Sequence, residues 1–264
     1  MKIVLFDMDG TLTPPRKEMN WPMVDSLYNL QNAGFEIGIV SGSDIDYIKQ
    51  QCNVMFDLSR LECTKIHWLP CNGTKYYKYT RVQNSLVDFK KVYLNDMRAH
   101  IGEANWRALI ELILNLQNAM ARVNQKMPLS GTFLQYRGST INWSPIGRSA
   151  SDEDRKTWEI LNANNNIRKK WLAILKDGFK SADLRDVTVK YGGETSFDIY
   201  PIGWDKTYAF KNFQNYEKIY FVGDRCDVNG NDYEAYELAG TFGYKTQGPE
   251  ETIKIIDDII AQNI

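Results

Sequence analysis

The opening of the chain constrains its fold more than any other stretch. Lys2 to Phe6 is a short, continuous apolar run that stops abruptly in Asp7-Met8-Asp9-Gly10-Thr11. An unbroken apolar run of this length suits a strand buried on both faces of a parallel sheet. Carboxylates at its end must then stand at the rim of the sheet, where open α/β folds take their ligands. The pattern recurs twice: Phe35 to Val40 leads into Ser41-Gly42-Ser43, and Lys218 to Val222 leads into Gly223-Asp224. Between the first two runs, Trp21 to Asn32 has helical apolar spacing and stops before Gly34. Asp44 is placed to cap a helix through Gln51. Strand alternating with helix predicts a parallel sheet wound by right-handed crossovers.

The middle of the chain changes character. Glu103 to Val123 reads as a long amphipathic helix, with Trp106, Leu109, Ile110, Ile113, Leu114 and Leu116 on its apolar face. Phe133 to Tyr136 and Thr140 to Trp143 read as short strands around Arg137-Gly138-Ser139. Helices over Asp152 to Leu161 and Ile167 to Phe179 follow, then strands over Val187 to Tyr191 and Ser196 to Tyr200. The winding resumes with a short helix over Asp205 to Phe210 and the strand at Lys218. A helix over Asp232 to Leu238, a strand over Thr241 to Thr246 and a helix over Glu250 to Ala261 complete it. The economical reading is an α/β chain with a Rossmann-like parallel-sheet core, residues 1–80 and 188–264, the second boundary falling within 185–202. An α+β domain is inserted at 81–187.

Composition excludes several partners. A formal net charge of −1 with 25% charged residues offers no long-range attraction for nucleic acid. Four cysteines without a CxxC pair, and only His67 and His100 beside them, supply no tetrahedral zinc set. No stretch reaches the ~20 apolar residues of a membrane span. The apolar opening is too short for a secretory signal. A soluble cytoplasmic protein with reduced thiols is expected.

The three strand ends define a chemistry. Carboxylates crowded at one rim repel one another unless a cation intervenes, and hard oxygen ligands suit Mg2+, which also neutralises phosphoryl charge. Asp7 is the candidate nucleophile, forming an aspartyl phosphate. Asp9, two residues on, shares the strand face and is placed to give and take a proton. Asp224 is assigned to the metal, with Asp232 as a further ligand. Ser41 and Ser43, with the backbone amides after Ser41, suit phosphoryl oxygens, and Lys206 offsets the charge of carboxylate and phosphate. Taken singly, Ser41 is a turn serine and Lys206 a surface lysine; only the set gives them these roles.

DxDGT, SGS, a downstream lysine and GD with a later ND together resemble the haloacid dehalogenase superfamily of aspartyl-nucleophile phosphotransferases. Longer stretches resemble one branch, the eukaryotic-type phosphomannomutases: LFDMDGTLTPPR, IGEANWRALIE, GTFLQYRGSTINWSPIGRS, GGETSFDIYPIGWDK and GDRCDVNGNDYE. The resemblance implies that the insertion is a cap domain that closes on a hexose phosphate and forms a homodimer. It implies Asp7 as nucleophile, Asp9 as acid/base, and a metal held by Asp7, Asp224 and the main-chain carbonyl of Asp9. Arg16 matches a substrate-binding arginine. Arg137 and Arg148 match a phosphate site on the cap, and Ser196 and Asp198 match sugar and phosphate contacts. Interconversion of mannose 6-phosphate and mannose 1-phosphate, and of the glucose pair, with a hexose 1,6-bisphosphate as activator, is the implied activity. A sugar-phosphate phosphatase and a non-catalytic sugar-phosphate-binding protein remain alternatives. Three positions depart from the family pattern: Ser130 stands where an arginine precedes GTF, RCDVNG fills the loop after Asp224, and Cys71 replaces the glutamate before Asn72-Gly73.

Overall fold

The computed structural model describes residues 1–56, 60–82, 86–228 and 230–263. The first segment builds β1 (Lys2–Phe6), α1 (Trp21–Asn32), β2 (Phe35–Val40), α2 (Ile45–Gln51), β3 (Ile66–Leu69), β4 (Lys75–Val82) and β5 (Leu86–Leu94). The middle segment builds α3 (Met97–Ile101), α4 (Glu103–Val123), β6 (Leu134–Tyr136), β7 (Ile141–Trp143), α5 (Asp152–Asn165), α6 (Ile167–Ser181), β8 (Val187–Gly192) and β9 (Ser196–Pro201). After a 3-10 helix at Lys206–Phe213 come β10 (Lys218–Gly223), α7 (Tyr233–Ala239), β11 (Gly243–Lys245) and α8 (Pro249–Ala261). Two compact units result: Met1–Leu94 with Gly203–Ile264, and Asn95–Ile202.

The first unit is built on a seven-stranded sheet in the order β11-β10-β1-β2-β3-β4-β5. The strands from β11 to β3 are parallel, and β4 and β5 join antiparallel. The apolar run of β1 is divided by the pleat: Val4 and Phe6 enter one core layer with Met23, Leu27 and Ile256, and Ile3 and Leu5 enter the opposite layer with Phe210, Phe213 and Phe221. Burying such side chains stabilises the unit by about 1.5–3 kcal/mol each. Asn20 and Asp44 cap α1 and α2 through side-chain bonds to the Met23 and Ile45 amides.

The second unit carries a four-stranded antiparallel sheet in the order β6-β7-β9-β8. Ile141, Trp143, Val187, Val189, Phe197 and Ile199 are all buried. Trp143 Nε1 donates to Gln117 Oε1 on α4 at 2.7 Å, so that helix is tied to this sheet. The capping box of Ser151 and Asp154 starts α5.

The unit boundaries differ from the 81–187 insertion read from sequence. β4 and β5, for which no strands were expected, extend the first sheet. There Tyr77 and Tyr79 enter one core layer and Tyr76 the other, as the pleat dictates, while a register shift opposite Tyr76 and Tyr77 leaves Val92 of β5 without a partner in the ladder. That shift blurs the period of two on which a strand reading depends. At the far end, β8 and β9 pair within the second sheet, so the return to the first unit comes at Gly203 rather than near 188.

Candidate active site

Register alone brings the three motif-bearing strand ends together. Phe6 lies opposite Val222 on one side and Ile39 on the other, and the Asp7 amide donates to the Val222 carbonyl at 2.9 Å. Asp7, Ser41 and Asp224 therefore follow neighbouring strands at the same rim. Two glycines permit the close fit. A Cβ on Gly10, whose φ is +86°, would stand 2.5 Å from Asp224 Oδ2, and one on Gly223 would stand 2.8 Å from the Asp232 carboxyl.

Asp7 is buried, one carboxylate oxygen taking a bond from Lys206 Nζ and the other from the Thr11 hydroxyl at 3.3 Å. Lys206, itself buried, also donates to Asp232 Oδ1, while Asp232 Oδ2 accepts from the Arg225 amide at 3.0 Å. Burial alone would lower the Lys206 pKa, but Asp232 and Asp7 outweigh it and keep the ammonium charged. Burial pushes the Asp7 carboxyl well above the ordinary range against the opposing pull of Lys206. It raises Asp224 to about 6, with Asp232 adding to the rise. One ammonium thus stands among three carboxylates, and the excess negative charge adds to the burial that shifts Asp7 and Asp224.

Oxygens of Asp7, Asp224 and Asp232 lie within 4.8 Å of one another, the one such acidic group among the described residues. A set of hard oxygens at this separation, with negative charge to spare, fits Mg2+. The three do not stand alike. Asp232 already serves as a clamp with a partner on each oxygen, whereas the Asp224 side chain is partly open, its ion pair to Arg225 Nε being a loose 3.7 Å.

The remaining motif residues of this unit cluster around Asp9 and Ser41. Asp9 is half-buried, and its Oδ1 accepts from the Arg16 main-chain amide and the Tyr47 hydroxyl, each at 3.0 Å. Arg16 itself is exposed, and it joins the turn through its backbone amide. Ser41 is buried; its hydroxyl accepts from the Ser43 amide at 3.1 Å and its carbonyl from the Asn72 amide at 2.8 Å. The loop Cys71-Asn72-Gly73, with three successive positive φ values of 51°, 63° and 83°, packs against Ala209 of the 3-10 helix that begins with Lys206.

On the second unit, strand pairing sets Gln135, Asn142, Asp198 and Lys190 in one row across the sheet. Asn142 is its centre. The amide Nδ2 donates to Ser196 Oγ at 2.9 Å and Asp198 Oδ1 at 2.7 Å, and Oδ1 accepts from Arg148 Nη1 at 3.1 Å. Three residues singled out in the sequence thus meet on one that was not. Arg137 stands beside the row through a 3.4 Å contact with Gln135. The Arg148 loop is fixed from behind by Arg155, which donates to the Arg148 and Ala150 carbonyls at 3.1 and 3.2 Å and to Thr195 at 3.3 Å. Ser130 donates to Asp154 Oδ2 at 2.7 Å, which joins it to the cap of α5.

Tyr47 and Asn142 are the residues that sequence reasoning passed over. Tyr47 gave no signal beyond a helical position, and Asn142 only its place inside the GTFLQYRGSTINWSPIGRS stretch.

Comparison with known proteins completes the picture. A family model described as eukaryotic phosphomannomutase matches residues 23–262. A phosphomannomutase of Arabidopsis thaliana is 34% identical over 255 residues, 95% of this chain and 93% of that one. Phosphomannomutase 1 of Dictyostelium discoideum is 34% identical over 264 residues, covering 97% and 96%. Among solved structures, an N-terminally truncated, IMP-bound IMP-nucleotidase of Plasmodium falciparum superposes with a TM-score of 0.64 at 12% identity, over 99% of this chain and 68% of that one, a likeness of fold.

Proposed function

The chain belongs to the eukaryotic phosphomannomutase family, and from that premise we propose that it interconverts mannose 6-phosphate and mannose 1-phosphate through an aspartyl phosphate on Asp7. The observation that carries the mechanism is the buried Asp7 carboxylate held by Lys206 at the rim of the sheet. Lys206 and Thr11 fix both oxygens of Asp7, so the nucleophile is oriented before substrate arrives. Asp9 gives a proton to the departing sugar oxygen and takes one back from the hydroxyl that attacks in the second half-reaction. The Ser41 hydroxyl and the backbone amides after it bind phosphoryl oxygens, the Ser43 amide exchanging its bond to the Ser41 hydroxyl for one to phosphate, and Arg16 takes the substrate's charge.

Asp7, Asp224 and the Asp9 main-chain carbonyl would hold Mg2+, with Asp232 beside them, and the ion when bound neutralises charge on the phosphoryl group. A mutase must grip the phosphate that is not reacting. We assign that role to Arg137 and Arg148, with Ser196 and Asp198 reading hydroxyls, because guanidinium forks match phosphate geometry. A hexose 1,6-bisphosphate as activator, action on the glucose pair, a homodimer through the second unit and a cytoplasmic location belong to the same proposal.

Phosphorus NMR of mannose 1-phosphate with Mg2+, with and without glucose 1,6-bisphosphate, tests the reading. Appearance of mannose 6-phosphate that depends on the bisphosphate supports it. Release of inorganic phosphate alone, with or without the activator, would make the chain a sugar-phosphate phosphatase instead.

A further inference from the structure

The reading of Asp9 as acid and base leaves open how one of its two oxygens is selected for the proton. Both described donors to Asp9 meet on the same atom: the Arg16 amide and the Tyr47 hydroxyl each reach Oδ1 at 3.0 Å. The two arrive from different elements. Arg16 lies on the loop after β1 with φ +61°, in the left-handed region. Tyr47 lies on α2, whose capping residue Asp44 is held by the Ile45 amide at 2.7 Å and by Lys75 Nζ at 3.0 and 3.1 Å. The phenol is therefore presented from a helix turn that is fixed at its start.

An amide N–H can only donate, and a phenol facing a carboxylate oxygen donates to it. With the amide and the phenol both donating to Oδ1, a proton carried by Asp9 sits on Oδ2 without turning either donor away. We propose that Tyr47 is a positioning residue for proton transfer by Asp9. Its hydroxyl, together with the Arg16 amide, reserves Oδ1 and leaves Oδ2 as the oxygen that exchanges the proton.

The proposal rests on the role of Asp9 given above, and the step balances without Tyr47 changing state. In the first half-reaction an Asp7 oxygen bonds to phosphorus, the ester P–O bond breaks, and the Oδ2 proton passes to the departing sugar oxygen. In the second, a sugar hydroxyl bonds to phosphorus and loses its proton to Oδ2, and the Asp7 acyl-phosphate bond breaks.

Leaving groups separate this role from a structural one. A sugar 1-phosphate departs with a proton, whereas acetyl phosphate expels acetate, which leaves without one. The test is rapid-quench measurement of phosphoenzyme formation from each donor, with Mg2+, on the full chain, for wild type, Tyr47→Phe and Asp9→Asn. We expect Tyr47→Phe to shift the ratio of the acetyl phosphate rate to the mannose 1-phosphate rate by about tenfold, and Asp9→Asn to shift it further in the same direction, within the ~10²–10⁴-fold of a general acid. A Tyr47→Phe ratio equal to wild type, while Asp9→Asn remains selective, overturns the proposal alone; this holds even where both rates fall together. No selectivity in Asp9→Asn overturns the reading of Asp9 itself, and with it the role of Tyr47.

Discussion

The two units present polar residues in opposite ways. Around Asp7 the charges are buried: Lys206 is sealed between Asp7 and Asp232 and donates to one oxygen of each, and the other oxygens take the Thr11 hydroxyl and the Arg225 amide. On the second sheet a neutral side chain, Asn142, joins an exposed guanidinium to a half-buried carboxylate. A buried cluster of charges fails as a whole when one member is removed, since the rest are left uncompensated in a medium that cannot solvate them. A neutral hub with an exposed partner loses one contact at a time, because its removal leaves no buried charge uncompensated and water reaches the exposed Arg148. Chemistry on a dianionic phosphate needs the first kind of site, and holding a substrate that must turn round suits the second.

Removal of Lys206 should break the buried cluster outright. Lys206→Met leaves Asp7 and Asp232 facing each other without a counter-charge, and we expect a loss of ~3–5 kcal/mol in stability by chemical denaturation. Phosphoenzyme formation should fall below about one-thousandth of wild type, since an electrostatic contact to the reacting centre is gone. Added Mg2+ should recover part of the stability in the variant. Loss of activity with unchanged stability would show the three charges to be less interdependent than their geometry implies.

Gly10→Ala tests the same cluster through shape. The added Cβ would stand 2.5 Å from Asp224 Oδ2, on a residue whose φ of +86° already disfavours any side chain. Displacing Asp224 should cost roughly 10²-fold in turnover and raise the Mg2+ concentration needed for half-maximal rate. On the second unit, Asn142→Ala removes the hub from Arg148, Ser196 and Asp198. There we expect about a tenfold fall in mutase rate, equivalent to roughly one or two hydrogen bonds. Phosphoenzyme formation should fall less than the full cycle. If Asn142→Ala matched Lys206→Met in both stability and first-step rate, the contrast between the units would be wrong.

The contrast also explains what could be read in advance. Asp7, Ser41 and Asp224 were legible because each directly follows an apolar run, so strand and site residue are contiguous. The second partner of Lys206 was not. Asp232 reads as a metal ligand from its position after Gly223-Asp224, and only the fold shows its oxygens taken by Lys206 and the Arg225 amide. Asn142 lies between buried Ile141 and Trp143, so alternation says that it faces the other way but not that Asp198 is its neighbour; that requires the β7–β9 register. Tyr47 was hidden for a further reason. A tyrosine on a helix commonly belongs to the apolar layer, and Tyr47 does pack against the core while its hydroxyl reaches Asp9.

The first unit holds a second buried polar group that sharpens the comparison because it is built from hydrogen bonds around a single carboxylate, Glu36, rather than from several charges. His67 Nε2 meets Glu36 Oε2 at 2.6 Å and Nδ1 meets the Tyr76 hydroxyl at 2.6 Å, and Tyr216 donates to Glu36 at 2.6 Å. Burial lowers the His67 pKa despite the pull of Glu36. Burial would raise Glu36, but bonds from Tyr216 and His67 outweigh it and lower it. Both groups therefore bind protons less readily in the folded chain than in the unfolded one. Their contribution is fully present above the ordinary histidine pKa of about 6.5 and is lost as pH falls through the depressed folded values. Raised Asp7 and Asp224 act in the opposite sense, favouring the fold as pH falls through their raised values toward the ordinary carboxylate range. The wild-type profile alone mixes the two, so the measurement is a difference: stability of wild type minus that of His67→Gln, followed from pH 7.5 to 5. The difference should shrink steadily on acidification and stay well below the ~3–5 kcal/mol of the Lys206 change. A difference that grew toward low pH would mean that His67 is charged in the fold and held as an ion pair with Glu36.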